Sequence, residues 1–511
     1  MRFPPQTGTR DDDTLTILCA RNDTSQARTH AAPVHLRRIA MFSLAAALLV
    51  AMPARAQDKD KDKEAAPQTT AVAALPFHVE PRGYGLVKES QPPRYVRRAD
   101  RTGIDAFEKV DWLDVGFELR LRYEHRDNDY RRSRLTSDDV LLGRTRLYLG
   151  IRQRFDPFRF VVELVDSRRG GGEFPRDDRD VNLTEPLQMF GEVYLANGAG
   201  KGRPVGVRVG RHAFEFLDRR LLARNEWRNT ANSFDGLRAT IGRPEGPWQV
   251  DVLALKPVRR LLSGLDRPDD AQRLVGTIGD WRRWSRVATV QPYYLRLTRE
   301  AQSATLVARD IHTLGVRSYG LVGRSGWDWD LDAARQFGKD GTRAHRGSAL
   351  VVESGFTARH AWKPRLSTSV SYASGDQDPN DGRMQRFERL FGFARPFSAS
   401  DYVQWENLRA SKLRLELSPT SRLRIDAGVS GYWLDSATDR WSATGLRDPL
   451  GRSGTALGVE LDARARMPIG PRLGLTLGYA RFAPGAFART VSGHDAVSHF
   501  PYVELAINAF R

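Results

Sequence analysis

The stretch GFELRLRYEHR, Gly116–Arg126, alternates without a break. Phe117, Leu119, Leu121 and Tyr123 share one parity, and Glu118, Arg120, Arg122 and Glu124 share the other. Successive side chains of a β-strand point to opposite faces, so this segment reads as a strand with one apolar and one ionic face. A fold that uses such a strand must offer oil to one side and water to the other.

The same pattern recurs to the end of the chain. Leu147, Leu149 and Ile151 oppose Arg144, Arg146 and Arg152, and Phe158, Phe160, Val162 and Leu164 oppose Arg159 and Glu163. Val205, Val207 and Val209 flank Arg208. Leu413, Leu415 and Leu417 oppose Lys412, Arg414 and Glu416, while Leu423 and Ile425 oppose Arg424 and Asp426. Val459, Leu461 and Ala463 alternate with Glu460, Asp462 and Arg464, and PRLGLTLGYA ends the series. Turn-rich stretches such as RRGGGEFPRDD, ANGAGKGRP and SGDQDPNDG separate the runs. From Trp112 to Arg511, at roughly 22 residues per strand and connection, the chain predicts about 16–18 antiparallel strands.

A soluble β-sandwich also alternates, but it does not explain so many arginine-bearing strands with no linker between them. A transmembrane β-barrel does: closure removes the sheet edges, the apolar faces meet lipid and the ionic faces line a wet lumen. The mean hydropathy of −0.50 does not oppose this, because alternating residues average out. Of 80 Lys plus Arg only ten are Lys, within a net charge of +18. Arginines spread along strands, rather than mixed Lys/Arg runs, speak against nucleic acid and for guanidinium recognition of carboxylates.

Three domains follow. His35–Gln57 has a basic end (Arg37, Arg38), a twelve-residue apolar core (Met41–Met52) and a small-x-small site at Ala54-Arg55-Ala56, the form of a Sec-type signal peptide. That core is too short to span a bilayer as a helix. Residues 1–56 are thus an N-terminal extension with a signal peptide at about 34–56, and 1–33 are expected to be untranslated. Residues 57–108 read as a disordered periplasmic leader, kept irregular to about 105 by Pro81, Pro92 and Pro93, and 109–511 as the barrel. The single cysteine, Cys19, precedes the cleavage site, which suits an exported chain.

From about 110 the chain resembles the alginate-export family of bacterial outer-membrane β-barrels. The resemblance rests on DWLDVGFELRLRYE, LLGRTRLYLGIR, VVELVDSR, VGRHAFEFLDRRLLARNEWRNTANSFDGLRA, YASGDQDPNDGRMQRFERLFG and LGYARFAPGAFA, in that order. It implies an 18-stranded pore in which arginines line a passage for an anionic polysaccharide. One departure is terminal. Such barrels typically end in an aromatic residue, whereas Phe510 is followed by Arg511 and lies off the apolar parity of Val503, Leu505 and Ile507.

Parity puts Arg120, Arg122, Arg144, Arg146, Arg152, Arg208, Arg238, Arg296, Arg414 and Arg424 on the conducting surface. Glu118, Glu124, Glu163, Glu416, Glu460 and Asp462 are interleaved to temper its charge. Any one of these arginines can instead pair across strands and stiffen the wall. Arg211–Asn229 is too long for a tight turn. It is either an inward constriction gated by Arg219, Arg220, Arg224 and Glu226 or an ordinary external loop, and the resemblance favours the first.

GDQDPNDG has the one-three-five spacing of a calcium loop at Asp376, Asp378 and Asn380. Its sixth position is Asp381 rather than Gly and its twelfth is Phe387 rather than Glu, so a turn is expected and no metal. No Gly-x-Ser-x-Gly elbow occurs, and His125 and His494 offer only a weak acid–base alternative at strand ends. The expectation is a non-enzymatic, monomeric channel without cofactor. Its partners are outer-membrane lipid, an acidic polysaccharide such as alginate and periplasmic export proteins. The alternatives are an anion-selective porin for small carboxylates and, less favoured, an outer-membrane hydrolase.

Overall fold

Eighteen long strands form one antiparallel sheet that closes on itself. The computed structural model describes residues 89–510, apart from 133, 135, 245, 283, 286, 304 and 305. The signal segment, Cys19 and residues 57–88 lie outside the described residues.

The first nine strands are β1 Leu113–Arg126, β2 Asp138–Ile151, β3 Phe158–Gly171, β4 Asn182–Leu195, β5 Val205–His212, β6 Phe234–Gly242, β7 Trp248–Arg259, β8 Gln272–Trp281 and β9 Thr289–Arg299. The second nine are β10 Arg309–Leu321, β11 Trp327–Asp340, β12 Arg343–Thr357, β13 Arg365–Ala373, β14 Leu408–Leu417, β15 Arg424–Trp433, β16 Ala456–Pro468, β17 Leu473–Pro484 and β18 Ser498–Asn508. Each pairs with its sequence neighbour, and β18 returns to β1 with Asn508 opposite Glu118 and Tyr502 opposite Glu124. The terminal register therefore follows the apolar parity, with Val503 outward and Phe500 and Tyr502 buried inside.

The connections sort by rim. At one end they are short: 152–157, 243–247, 322–326, 418–423 and 469–472. At the other lie 127–137, 213–233, 374–407, 434–455 and 485–497, the last carrying the short helix α1, Ala486–Ser492; only 341–342 is tight there. In outer-membrane barrels the short turns face the periplasm and the long loops face outward.

Most of the wall obeys the alternation. In β1, Arg120, Arg122 and Glu124 are buried while Tyr123 is exposed, and in β16 Glu460 is buried between exposed Val459 and Leu461. On the long-loop part of β7 to β9 the inner face is apolar instead, with Gln249, Asp251, Asp280 and Gln291 buried nearer the short turns. Leu253, Leu255, Leu274, Ile278, Leu295 and Leu297 join Phe214, Leu217, Leu221, Phe387 and Trp405 from the long loops in one core. The barrel thus has a greasy, loop-packed side and an ionic side.

The leader departs from expectation. From residue 89 on it is ordered: Val96–Arg98 pairs with β1 below the end of β18, Val96 opposite Gly116 and Arg98 opposite Asp114. Tyr95 is buried with Tyr148, Val161 and Phe190. Gly116 makes this possible, because a Cβ there would lie 2.8 Å from both Tyr95 and Val96. Prolines 92 and 93 deny this segment a helix, but they do not prevent it from lying against the barrel wall. GDQDPNDG forms the expected turn, the Asp381 amide donating to the Asp378 carbonyl.

Candidate functional site

The ionic side is densest where β1, β2 and β3 meet. Register sets Arg120 opposite Arg144 and Glu118 opposite Arg146, which crowds three cations into two neighbouring strands. Carboxylates must relieve that crowding, since a buried charge is costly unless paired. Glu118 accepts from Arg146 at 2.8 Å and Arg144 at 3.2 Å. Glu124 takes Arg122 and Arg126, both at 2.7 Å. Glu163, fully buried, accepts from Arg224 and from the Tyr95 hydroxyl at 2.8 Å.

The segment 213–233 folds inward onto this face. Glu226 reaches Arg144 at 2.9 Å and Arg146 at 3.2 Å, and also pairs with Arg224. Arg120 donates to the carbonyls of Glu226 and Arg228, and Arg122 to that of Trp227, each at 2.6 Å. Burial raises the Glu226 carboxyl, but Arg146, Arg224, Arg144 and Arg120 outweigh it and hold it well below the usual carboxylate range. Across the lumen, Arg220 meets Asp330 at 3.2 Å and Asp332 at 3.6 Å on β11. Arg219 pairs with Asp218 at 3.1 Å. Leu217, Asp218 and Arg219 all hold positive φ, a left-handed run that costs each about 1–2 kcal/mol and persists only under strong tethering.

A second inward loop, 374–407, was not singled out as a constriction by the sequence. Its Phe391 amide donates to the Leu221 carbonyl at 2.9 Å, and the Ala223 and Phe393 amides return bonds to Phe391 and Arg219. The two loops touch so closely at Gly392 that a Cβ there would lie 1.8 Å from the Arg220 carbonyl oxygen. Glu460 anchors the loop by accepting from Ser398 at 2.9 Å and from the Ala399 and Ser400 amides at 2.7 and 3.0 Å. The aromatic content of 387–405 was the available signal: Phe387, Phe393, Phe397, Tyr402 and Trp405 in one connection are too many for a solvated loop.

Against this paired background three interior arginines stand out. Among the described residues no carboxylate lies within 4 Å of the guanidinium of Arg228, Arg389 or Arg395. Arg389 donates only to the Gly392 carbonyl, and Arg395 only to the Tyr502 hydroxyl at 3.2 Å, with Nη1 left over. Trp227 is clamped between Arg395 at 3.6 Å and Arg122 at 4.0 Å. Burial pushes the guanidinium of Arg228, and that of Arg395, below the ordinary arginine value. Each is poised to gain a negative partner.

The other predicted residues fall at the short-turn rim or outside. Arg208 and Arg238 share the Gln91 side-chain oxygen at 2.7 and 3.1 Å and pair with Glu192 and Asp251. Arg152 pairs with Asp114. Arg414 shares Asp426 with Arg464 and Arg466 and reaches Asp462 at 3.1 Å, while Glu416 lies 3.5 Å from Arg365. Arg424 is exposed at the inner edge of that rim. Arg296 is a correction. It lies on the outward face of β9 with exposed Tyr294, paired to Asp310 at 2.8 Å, whereas Tyr293, Leu295 and Leu297 point inward. The apolar parity faces the lumen there because it packs against the loop core.

A family model described as alginate export matches residues 111–500. The chain belongs to the alginate-export family. This alginate-export barrel is similar in fold to channels of Pseudomonas aeruginosa. OccK3 (OpdO) matches at 16% identity and TM-score 0.52, covering 78% of this chain and 95% of that one. OccK2 (OpdF), solved in complex with glucuronate, matches at 12% identity and TM-score 0.53 over 78% and 97%. OprD matches at 11% identity and TM-score 0.51 over 77% and 93%. No curated protein sequence matches the chain. The family is one of non-enzymatic outer-membrane channels, which places this barrel in a bacterial outer membrane.

Proposed function

We propose that this channel passes uronate-bearing anions and that its cargo is an acidic exopolysaccharide such as alginate, exported through the arginine face. One observation carries the reading: among the described residues, Arg228, Arg389 and Arg395 lie on the two inward loops without carboxylate partners, beside walls whose arginines are mostly paired. A polyuronate has one carboxylate per sugar. It advances if each carboxylate exchanges water for guanidinium forks at several weak sites instead of one tight site. The paired arginines supply a tempered field, and the three free ones supply the exchange points. Periplasmic proteins would feed such a polymer from the short-turn rim.

A second reading is uptake of small sugar acids, favoured by the loops that fill one side of the lumen and by the glucuronate bound to OccK2. Planar-bilayer recording with added uronate oligomers separates the two. On the export reading, block strengthens steeply from monomer to hexamer, and Arg228→Gln with Arg389→Gln weakens hexamer block about tenfold. Equal block by monomer and hexamer would favour the small-solute channel. Equal block by neutral oligomers would remove both.

A further inference from the structure

The outward face of the barrel carries a cationic cluster that conduction does not use. Strand register sets Arg296, His312, Phe337 and Arg346 side by side in one transverse row over β9 to β12. Arg335 and Lys339 lie on the same face of β11, two residues either side of Phe337. Arg335, Lys339, Arg346 and Phe337 are all exposed. Within the cluster one carboxylate, Asp310, is engaged by two bonds at 2.8 Å to Arg296. Among the described residues, no side-chain hydrogen bond or ion pair reaches Arg335, Lys339 or Arg346.

The depth of the cluster is set by β11 itself. Trp327 marks its short-turn end and Phe337 its long-loop end, both half exposed, with Trp329, Leu331 and Ala333 between them on the same face. Ten residues at about 3.4 Å each, tilted by about 40°, span roughly 26 Å, the height of an outer-membrane apolar band. Phe337 therefore lies at the upper edge of the band, Lys339 about 5 Å above it and Arg335 about 5 Å below. An outward cation at this level is tolerable only if its long stem lifts the charge into the headgroup layer and finds an anion there.

We propose that this face, on the long-loop and hence outer-leaflet side, is a binding site for a phosphorylated glycolipid. Arg335, Lys339 and Arg346 hold the phosphates. Phe337, stacked on His312 with ring centroids 5.0 Å apart, supports the sugar and the start of the acyl chains. Guanidinium forks suit phosphate oxygens, and three exposed cations on two adjacent strands outnumber the one carboxylate of the cluster, Asp310, which lies opposite Lys339 and is held by Arg296.

Native mass spectrometry of the refolded protein, titrated with diphosphorylated lipid A, tests the site. Parallel arms use the same lipid stripped of phosphate and use phosphatidylglycerol. The expected result is retention of diphosphorylated lipid A at least tenfold above both other lipids. That preference should be lost in the Arg335→Gln/Lys339→Gln/Arg346→Gln variant and kept when the opposite-rim cations Arg324 and Arg359 are changed to Gln. Heat-modifiable gel mobility confirms a folded barrel. If the triple variant does not fold, Arg346→Gln alone is expected to lower retention severalfold. Wild-type retention that ignores phosphate removal would overturn the proposal, and so would equal retention of phosphatidylglycerol or an unchanged preference in the variants.

Discussion

Glu226 shows how one side chain sets the character of the lumen. It is shared by Arg144, Arg146 and Arg224, and its own carbonyl receives Arg120. Replacing it with Gln keeps the shape and the bond from Arg120 but removes an anion shared by three cations. Each cation keeps another carboxylate, Glu118 for Arg144 and Arg146 and Glu163 for Arg224, so the cost is expected to be about 1–3 kcal/mol. Glu226→Gln is expected to lower the thermal midpoint of the detergent-solubilised barrel and to raise its anion-to-cation permeability ratio. An unaltered ratio would mean that the lumen charge is set elsewhere. Arg296 teaches the opposite lesson at the same scale. Its strand alternates as expected but with the apolar side inward, because parity distinguishes two faces without saying which one is wet.

Among the elements, the strands were legible and the inward loops only in part. A period of two survives in sequence because every strand must solve the same local problem of oil against water. The ionic residues of β1, β2, β14 and β16 could therefore be assigned directly. β7 and β8 are largely apolar on both faces since their inner sides pack on loop residues tens to more than a hundred positions away, a contact that no local pattern encodes. Arg211–Asn229, the greater part of the first inward loop, was marked by its charge and length. Its partner 374–407 required attention to aromatic content instead. The strap at 89–98 was hidden because prolines and charges look alike in a tether and in a docked segment. It reaches both the wall and the constriction: the Glu89 amide donates to Glu215 at 2.8 Å and the Gln91 amide to the Ala213 carbonyl at 3.2 Å. Tyr95→Ala should remove roughly 3 kcal/mol of its docking. Gly116→Val should push it off the wall. Both variants are expected to raise single-channel conductance. Conductance equal to wild type in both would show that the strap lies outside the current path.

Taken whole, the molecule combines a lipid-facing sheet with an interior divided between an apolar loop core and an arginine face. Its family and its fold establish an outer-membrane channel, and the charge distribution argues for the sign of what it carries. The most direct measurement is the reversal potential of the refolded barrel in a planar bilayer under a tenfold potassium chloride gradient. The expected reversal potential has the sign of, and approaches the Nernst limit for, chloride, and it is reduced when Arg228, Arg389 and Arg395 are changed together to Gln. A reversal potential at zero, or one set by potassium, would contradict an anion channel.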